Sequence, residues 1–296
     1  MAEAVAVVVV NGFPIAMPKI GQDAVPLIDQ TTAGILANVN NFSIKQRTSL
    51  LEGITGGCIE ISNSYDVFDA ANGVHLFTII ENSEDCERCC CAPHHSLFLE
   101  WKGVYGQGDL SKAPRAQIQG LQTVMYAERE GCCSKWGLGC CVCDQACAQE
   151  MFVHAGGMQP GAPVGSIKWS GQGLMGYLTQ PVPWGGGFTP TINIMDRASA
   201  ADTSVRPIAK VEGPCIFGGC TENCCDSEWL VSTASQAQWN QVVKTGDMAR
   251  ITKKKPNSLG AVVREAFTDS DTFTLEFKVC EGGRTGWPLL AVPSGH

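Results

Sequence analysis

The sequence has no long hydrophobic run and no excess of positive charge. None of its apolar segments approaches the ~18 residues that a membrane-spanning helix requires. The 21 lysines and arginines are outnumbered by 29 aspartates and glutamates, which gives a net charge of −8. A chain of this charge lacks the basic face that nucleic acid needs, and it lacks an electrostatic grip on an anionic membrane. The composition therefore excludes nucleic acid as the main partner and leaves apolar groups or lipid anchors for any membrane contact.

The first residues also lack positive charge. No basic residue precedes Lys19, and the apolar run over residues 4–10 is short, whereas a secretory signal has a basic start and a longer apolar core. We therefore expect a buried strand over residues 4–10 and a protein that stays on the cytosolic side. Disulfides are rare in that compartment. The 16 cysteines are accordingly not expected to form a disulfide framework.

Turn residues are plentiful, and they separate short alternating segments. The 33 glycines and 15 prolines indicate many chain reversals. Asn72-Gly73 divides residues 57–80 into two strand-like runs, and this dipeptide favours a hairpin because both positions tolerate positive φ. Only residues 43–54 show roughly helical spacing of apolar side chains, and the lysine run of residues 252–256 is interpreted as a solvated turn. We predict one all-β domain, a barrel or a sandwich, with further strands in residues 96–103, 122–130, 149–156, 164–170, 176–182, 189–196, 227–233 and 272–279.

The cysteines fall into three groups and two single positions. Cys58 and Cys280 stand apart. Buried free cysteine is common, so several thiols are expected to be small core residues. The three groups consist of Cys86, Cys89, Cys90 and Cys91; of Cys132, Cys133, Cys140, Cys141, Cys143 and Cys147; and of Cys215, Cys220, Cys224 and Cys225.

A metal site is one interpretation of these groups. Two cysteines separated by two residues let a single turn present two thiolates to a tetrahedral ion, and His94 and His95 are further possible ligands. Zinc and an iron–sulfur cluster both fit this spacing. The candidate ligands are Cys86, Cys89, Cys140, Cys143, Cys220 and Cys224.

Lipid attachment is the other interpretation. Neighbouring cysteines on an exposed loop are plausible acceptors of palmitoyl groups, and two or more acyl chains give stable membrane anchoring where one does not. The segment GCCVCDQAC fits this pattern best. Its candidate acylation sites are Cys140, Cys141, Cys143 and Cys147.

Several segments resemble the phospholipid scramblase family, in the same order along the chain. The segments are PLIDQ with SIKQRTSLLEGITG, DVFDAANGVHLFTIIENSEDCERCCCAP, GCCVCDQACAQEMFVHA, VEGPCIFGGCTENCCDSEWLV and LGAVVREAFTDSDTFTLEF. The resemblance covers residues 26–277. Residues 103–120 and the long segment over residues 170–194 depart from the family pattern.

The resemblance implies a tubby-like fold, a twelve-stranded antiparallel β-barrel closed around a hydrophobic C-terminal helix. It also implies palmitoylation at the central cysteine loop and calcium-responsive movement of phospholipids between leaflets, with Asp269 and Asp271 at the first and third positions of an EF-hand-like segment. In this chain Thr274 replaces the turn glycine and Cys280 replaces the last carboxylate of that segment. Glycines and prolines after residue 280 exclude a long helix there, so the central helix is expected to be missing.

These observations lead to one expectation and two alternatives. We expect an N-terminal extension over residues 1–25, a scramblase-like barrel over residues 26–280 and an irregular tail over residues 281–296. The expected function is that of a peripheral protein on the cytosolic face of a phospholipid membrane, without covalent catalysis. One alternative is a non-transporting subunit within a cytoplasmic assembly, where a partner protein supplies a helix to the barrel. The other is a metal-binding protein that uses the cysteine groups.

Overall fold

The structure of the chain is a computed structural model. It describes residues 7–10, 13–16, 28–47, 62–83, 95–131, 148–156, 173–182, 189–196, 207–214, 226–233, 248–255, 271–280 and 284–285.

Twelve strands form a closed antiparallel barrel in which each strand pairs with its neighbours in sequence, and the last strand pairs with the first. Closure leaves no free sheet edge, which is how an antiparallel sheet avoids unpaired backbone groups. The barrel strands are β3 (Asn41–Gln46), β4 (Ser64–Asp69), β5 (His75–Glu81), β6 (Leu97–Gly103), β7 (Thr123–Arg129), β8 (Glu150–Ala155), β9 (Leu174–Thr179), β10 (Thr191–Asp196), β11 (Ala209–Glu212), β12 (Ser227–Thr233), β13 (Ala249–Lys254) and β14 (Thr272–Phe277).

Within the described ranges, four short strands and two helices lie outside the barrel wall. Strand β1 (Val7–Val10) pairs with β2 (Phe13–Ala16), and β15 (Val279–Cys280) pairs with β16 (Arg284–Thr285). Helix α1 (Gln30–Asn38) precedes β3, and the one-turn helix α2 (Arg115–Gln119) lies between β6 and β7.

The two faces of the barrel wall differ in chemistry. Side chains alternate between the faces along each strand. On one face, apolar residues from β14 and from β3 to β9 form a single core cluster together with α1. Residues from that many adjacent strands meet only on the concave side, so this face lines the lumen. The other face carries the exposed charged side chains of Lys45, Glu228, Arg250, Lys254 and Glu276, and it is therefore the outside.

The strand directions define two ends of the barrel. Because neighbouring strands are antiparallel and follow one another in sequence, the connections after β3, β5, β7, β9, β11 and β13 leave from one end, which we call the upper end. Helix α1 leads into β3 at the opposite, lower end. The carboxylate of Asp29 caps this helix: it accepts from the backbone N of Thr32 at 2.9 Å and from its Oγ1 at 2.5 Å. Such a cap satisfies backbone groups that the first turn leaves open.

Three β-bulges help to close the lower end around α1. The register shifts between β4 and β5, between β6 and β7, and between β8 and β9. The shifts leave Leu76, Val124 and Met175 without a partner across the sheet, and all three belong to the core cluster that contains Ile35 and Leu36 of α1. Bulges bend a strand and increase its twist. Here they also add three apolar side chains to the lower core.

The predicted all-β barrel is confirmed. The expected hairpin has its turn at Asn72-Gly73, where Gly73 has a φ of +72°, between β4 and β5. Other predicted strands correspond to β6, β7, β8, β9, β10, β12 and β14. The predicted strand over residues 164–170 lies outside the described residues. So does most of the chain after β14, including residues 286–296.

Two details of the prediction are corrected, and one is confirmed as a strand. Residues 43–46 of the helically spaced segment belong to β3, because strand pairing with β4 and β14 overrides a weak helical pattern. The lysine run begins inside β13, where Lys253 and Lys254 pair with β14. Residues 7–10 form a strand, as expected for the apolar N-terminal run, but it pairs with β2 and not with the barrel.

Candidate functional site

The lumen has an apolar wall. Strand register places Ile44, Trp101, Ile194, Trp229 and Leu275 on its face, and all five are only half-buried. Ile192, on the same face, is 40% exposed. A half-exposed apolar wall is unusual inside a protein, where side chains normally pack to crystal-like density.

A continuous chain of polar contacts borders the lumen at the upper end. We call it the rim chain, and its members are Lys253, Asp271, Gln46, Asn63, Glu81, His95 and Arg129. They come from seven consecutive positions around the barrel, from β13 through β14, β3, β4, β5 and β6 to β7.

The first half of the rim chain is centred on Gln46. The Nζ of Lys253 lies 3.0 Å from Oδ1 of Asp271. The backbone N of Asp271 donates to Oε1 of Gln46 at 3.3 Å, and the backbone N of Gln46 donates to the carbonyl oxygen of Asp271 at 2.9 Å. The Nε2 of Gln46 then donates to Oδ1 of Asn63 at 2.8 Å. Gln46 therefore contacts Asp271 through both its backbone and its side chain, and it contacts Asn63 through its side chain.

The second half is centred on Glu81, which is 2% exposed. Its Oε2 accepts from the backbone N and from Nδ2 of Asn63, each at 3.1 Å. Its Oε1 lies 3.1 Å from Nε2 of His95, whose carbonyl oxygen accepts from Arg129 at 3.0 Å. Burial lowers the pKa of Arg129, while the charge of Glu81 opposes that shift. The rim chain therefore combines two cations with two carboxylates, and it holds a buried carboxylate in place by hydrogen bonds.

A second concave surface lies on the outside of the barrel. This outer cleft, of about 1170 Å³, is bounded by the outward faces of β3, β4 and β5 and by the connection between β6 and β7. Arg47 ties the connection down, because its two Nη atoms donate to the carbonyl oxygens of Ala113 at 3.0 Å and Leu110 at 2.7 Å. Arg115 ties α2 to the strands through the carbonyl oxygens of Ser62 and Glu81.

A buried carboxylate lies at the base of the outer cleft. Asp66 accepts from Nε of Arg47 and from Oγ1 of Thr78, each at 2.8 Å, and Nε2 of His75 lies 3.1 Å from its Oδ1. Burial alone would raise the pKa of Asp66. The hydrogen bonds from His75, Arg47 and Thr78, with the charge of Arg47, outweigh burial and hold the pKa below its usual value. This network fixes the connection to the barrel wall, so both arginines have a structural role.

The predicted calcium residues are placed only in part. Asp269 lies outside the described residues. Asp271 lies directly before β14 and is paired with Lys253. Positions four to nine of the EF-hand-like segment form β14, which is hydrogen-bonded on both sides. Calcium binding at Asp269 and Asp271 stays a prediction.

The cysteine groups lie outside the described residues, but the strand ends that flank them are defined. The first group falls between β5 and β6, the second between β7 and β8, and the third between β11 and β12. All three connections leave from the upper end of the barrel. The metal site at Cys86, Cys89, Cys140, Cys143, Cys220 and Cys224, and acylation at Cys140, Cys141, Cys143 and Cys147, stay predictions.

Two features are absent from the described residues. Within them, no three histidine, cysteine, aspartate or glutamate side chains come close enough to hold a metal ion. Neither α1 nor α2, the helices in the described ranges, is long and apolar enough to cross a membrane.

Sequence analysis did not find the rim chain. One signal for it does exist in the strands themselves. Gln46, Glu81, Arg129 and Lys253 each lie near the end of an alternating strand, in phase with the apolar residues that face the lumen. Where apolar residues alternate along a strand and face the lumen, a polar residue at the last such position therefore indicates the mouth of the barrel, once the strand directions are known.

Comparison with known proteins gives relatives of one kind. The chain is 25% identical to mouse (Mus musculus) phospholipid scramblase 1 over 242 residues, which cover 82% of this chain and 55% of that protein. It is 24% identical to the human (Homo sapiens) phospholipid scramblase 1, with 82% and 57% covered. It is 23% identical to bovine (Bos taurus) phospholipid scramblase 2 over 266 residues, with 90% and 70% covered.

The chain thus spans little more than half the length of the phospholipid scramblase 1 proteins that it matches. No protein-family model and no solved structure matches it. The similarity nevertheless extends over 82–90% of the chain. The chain is therefore similar to phospholipid scramblases over most of its length, which supports the resemblance seen in its segments.

Proposed function

We propose that this chain is a scramblase-like protein that associates with phospholipid membranes and moves or binds phospholipids without covalent catalysis. The observation that carries the proposal is the lumen, an apolar wall that ends at a polar rim chain. Lipids have the same division between an apolar and a polar part. The similarity to phospholipid scramblases supports the same assignment.

Membrane association is proposed to be peripheral, on the cytosolic face, and to depend on acyl groups. The net charge of −8 leaves little electrostatic attraction to anionic lipid. Several acyl chains at Cys140, Cys141, Cys143 and Cys147 would give stable anchoring. The strands that flank this segment end at the upper end of the barrel, so the anchors would bring the rim chain to the membrane surface.

Calcium responsiveness is the finer part of the proposal. Asp271 already has a cation partner in Lys253, so a calcium ion that used Asp271 would compete with that lysine. Competition predicts weak binding and a calcium effect that increases when Lys253 is replaced by methionine. The same effect should disappear in Asp271→Asn.

The test uses vesicles that contain a fluorescent phospholipid, with a reducing quencher added outside. If the protein moves lipids between leaflets, the quenched fraction rises above the half that one leaflet contains, and it is measured with and without calcium. Hydroxylamine-sensitive acyl exchange on protein from its own cells, together with membrane fractionation, tests the anchors. Replacing the four cysteines by serine should abolish both the acyl signal and membrane recovery. Protein that is unmodified, soluble and inactive on vesicles would overturn the proposal.

A second candidate function is a non-transporting subunit whose lumen receives a helix from a partner protein. The half-exposed lumen wall favours it, since the described residues leave apolar surface of this wide barrel uncovered. A partner in stoichiometric amount after purification from native cells would support this function. Zinc or iron retained by the purified protein, and released when the cysteines of the first and third groups are replaced, would instead support the metal-binding alternative.

A further inference from the structure

The barrel is wider than its own side chains can fill. A barrel of about eight strands is just filled by the side chains of its wall, whereas larger barrels enclose ligand cavities or channels. With twelve strands, Leu99, Trp101, Met151, Trp229 and Ile251 all face the lumen, yet all remain half-buried. Exposed apolar surface of this kind favours an occupant that is itself apolar.

The lower end of the lumen is closed and apolar. Ile35 of α1 is 0% exposed and packs in one cluster with Leu36, Phe42 and the bulge residues Leu76 and Val124. Whatever enters from the upper end therefore meets an apolar floor. The terminal methyl group of an acyl chain needs no hydrogen-bond partner there. A helix that entered end-first would bring up to four unsatisfied backbone groups to the same floor, where they would lose their hydrogen bonds to water.

The upper end is polar and balanced in charge. The rim chain carries the cations Lys253 and Arg129 and the anions Asp271 and Glu81, so its formal charges cancel. A site of this kind has complementary charges for a headgroup that contains both signs. It favours neither a free fatty acid nor an anionic headgroup.

We propose that the lumen holds one acyl chain of a zwitterionic phospholipid, with the methyl end toward α1 and the headgroup at the rim chain. The inference rests on the proposed function, because that function supplies the phospholipid as ligand class. It adds a defined binding site for the phospholipid, and it states how far the acyl chain enters the lumen and which of its ends lies at the rim chain. The apolar floor and wall favour a long acyl group, and the polar side chains of the rim chain bind the headgroup at the mouth.

The test separates lumen binding from membrane binding. The purified full chain is incubated with vesicles of phosphatidylcholine whose acyl chains carry bromine, and the vesicles are then removed by centrifugation. The expected result is one phospholipid per chain in the supernatant by mass spectrometry, with quenched tryptophan fluorescence, because bromine quenches on contact. Quenching should weaken in Trp101→Phe and in Trp229→Phe, whose indoles line the lumen.

A matched pair of variants tests the location. Ile192→Trp narrows the lumen at an inward position, so that an acyl chain overpacks the site and phospholipid retention should fall about tenfold. Leu230→Trp is the control, since Leu230 faces outward opposite Glu212 and Arg250 and should retain lipid. Unfolding temperatures show whether both variants are folded.

Each remaining outcome has a defined meaning. No phospholipid in the supernatant, equal retention by both tryptophan variants, quenching unchanged in both phenylalanine variants, or a stoichiometric protein in place of lipid would overturn the lumen site. Vesicle sedimentation and leaflet movement are measured in the same samples. If both are absent while the supernatant still contains lipid at the lumen, membrane association and lipid movement fail as the proposed function and the lumen site remains.

Discussion

The ammonium of Lys253 lies 3.0 Å from the carboxylate of Asp271 and joins the end of β13 to the start of β14 at the barrel mouth. Their side chains are 15% and 25% exposed, so the pair is screened from water more than a typical surface pair but is not fully buried. Through Gln46 it is connected to the rest of the rim chain. The pair therefore belongs to the structural border of the lumen.

A double-mutant cycle should detect coupling across this pair. We expect Lys253→Met and Asp271→Asn to be coupled by about 0.5–1 kcal/mol in the free energy of unfolding, the upper range for partly exposed ion pairs. Urea unfolding at low and high salt measures it, and salt should reduce the coupling. Strict additivity of the two changes would show that the contact does not stabilise the mouth.

Acid should destabilise the protein partly through Asp66. The pKa of its carboxyl is held below the ordinary value by His75, Arg47 and Thr78 despite burial. A group with a depressed pKa in the folded state stabilises above its unfolded pKa, and this stabilisation is lost as the pH falls through the folded pKa. The affected window therefore lies below pH ~4.

The measurement is the free energy of unfolding as a function of pH in the wild type and in Asp66→Asn. The variant should be less stable at neutral pH, and its loss of stability in acid should be shallower. Some acid dependence should remain, because hydrogen bonds from Ser111 and Lys255 also lower the pKa of Asp109 and Asp226. Parallel pH curves for the two proteins would contradict the assigned role of Asp66.

Arg47 should not be replaceable by lysine. Its guanidinium contacts Asp66 and two carbonyl oxygens of the β6–β7 connection at once, and a lysine ammonium cannot reproduce that planar geometry. We expect Arg47→Lys to cost about 2–3 kcal/mol of unfolding free energy, because buried acceptors lose their donors. Faster proteolysis within residues 104–122 should accompany it.

Arg250 offers a matched control for this change. It lies 3.4 Å from Glu228 on the outer face, with both side chains about half exposed. Arg250→Lys should change stability by no more than about 0.5 kcal/mol. Similar losses in both variants would mean that Arg47 acts only as a surface charge.

Many strands of the barrel could be predicted from the sequence because their alternating apolar residues and the turn residues between them agree with the fold. Asn72-Gly73 lies between two alternating runs, and the turn forms where the dipeptide predicts it. Residues 43–46 were predicted to be helical and residues 252–254 to be a turn, but both segments lie in strands. The strand of residues 43–46 pairs with β14, more than 200 residues away in sequence, and that of residues 252–254 pairs with β12, about 20 residues away. Short strands with weak alternation are determined by pairing, which a local pattern does not contain.

The rim chain could not be predicted for a related reason. Gln46 and Asp271 are 225 residues apart in sequence but hydrogen-bonded at the mouth. Only the closure of β14 on β3 brings them together. The role of α1 was missed as well, since the central helix was expected to be missing and residues 28–39, which contribute to the lower core, were not predicted to be helical.

Gly213 gives a direct test of the lumen wall near the mouth. A Cβ at this position would lie 2.6 Å from Nε1 and 2.7 Å from Cδ1 of Trp229, and 3.2 Å from Cγ of Pro190. Real Cβ atoms do not approach other atoms that closely, so alanine must displace the indole or the strands that carry it. We expect Gly213→Ala to cost about 1–3 kcal/mol, the range for overpacking.

Two comparisons make this prediction specific. Gly120→Ala is the control, because its nearest neighbour would be 3.5 Å from the new Cβ, an ordinary contact, and its stability should stay near that of the wild type. Trp229→Phe removes Nε1, the atom nearest to the new Cβ. Gly213→Ala should therefore cost less in that background than in the wild type, a non-additivity that urea unfolding of the four proteins measures. If the lumen holds an acyl chain, the displaced indole should also lower phospholipid retention in Gly213→Ala but not in Gly120→Ala. Full additivity with unchanged retention would show that Trp229 is free to move without affecting the wall, and the lumen would then lack the rigid boundary that a binding site requires.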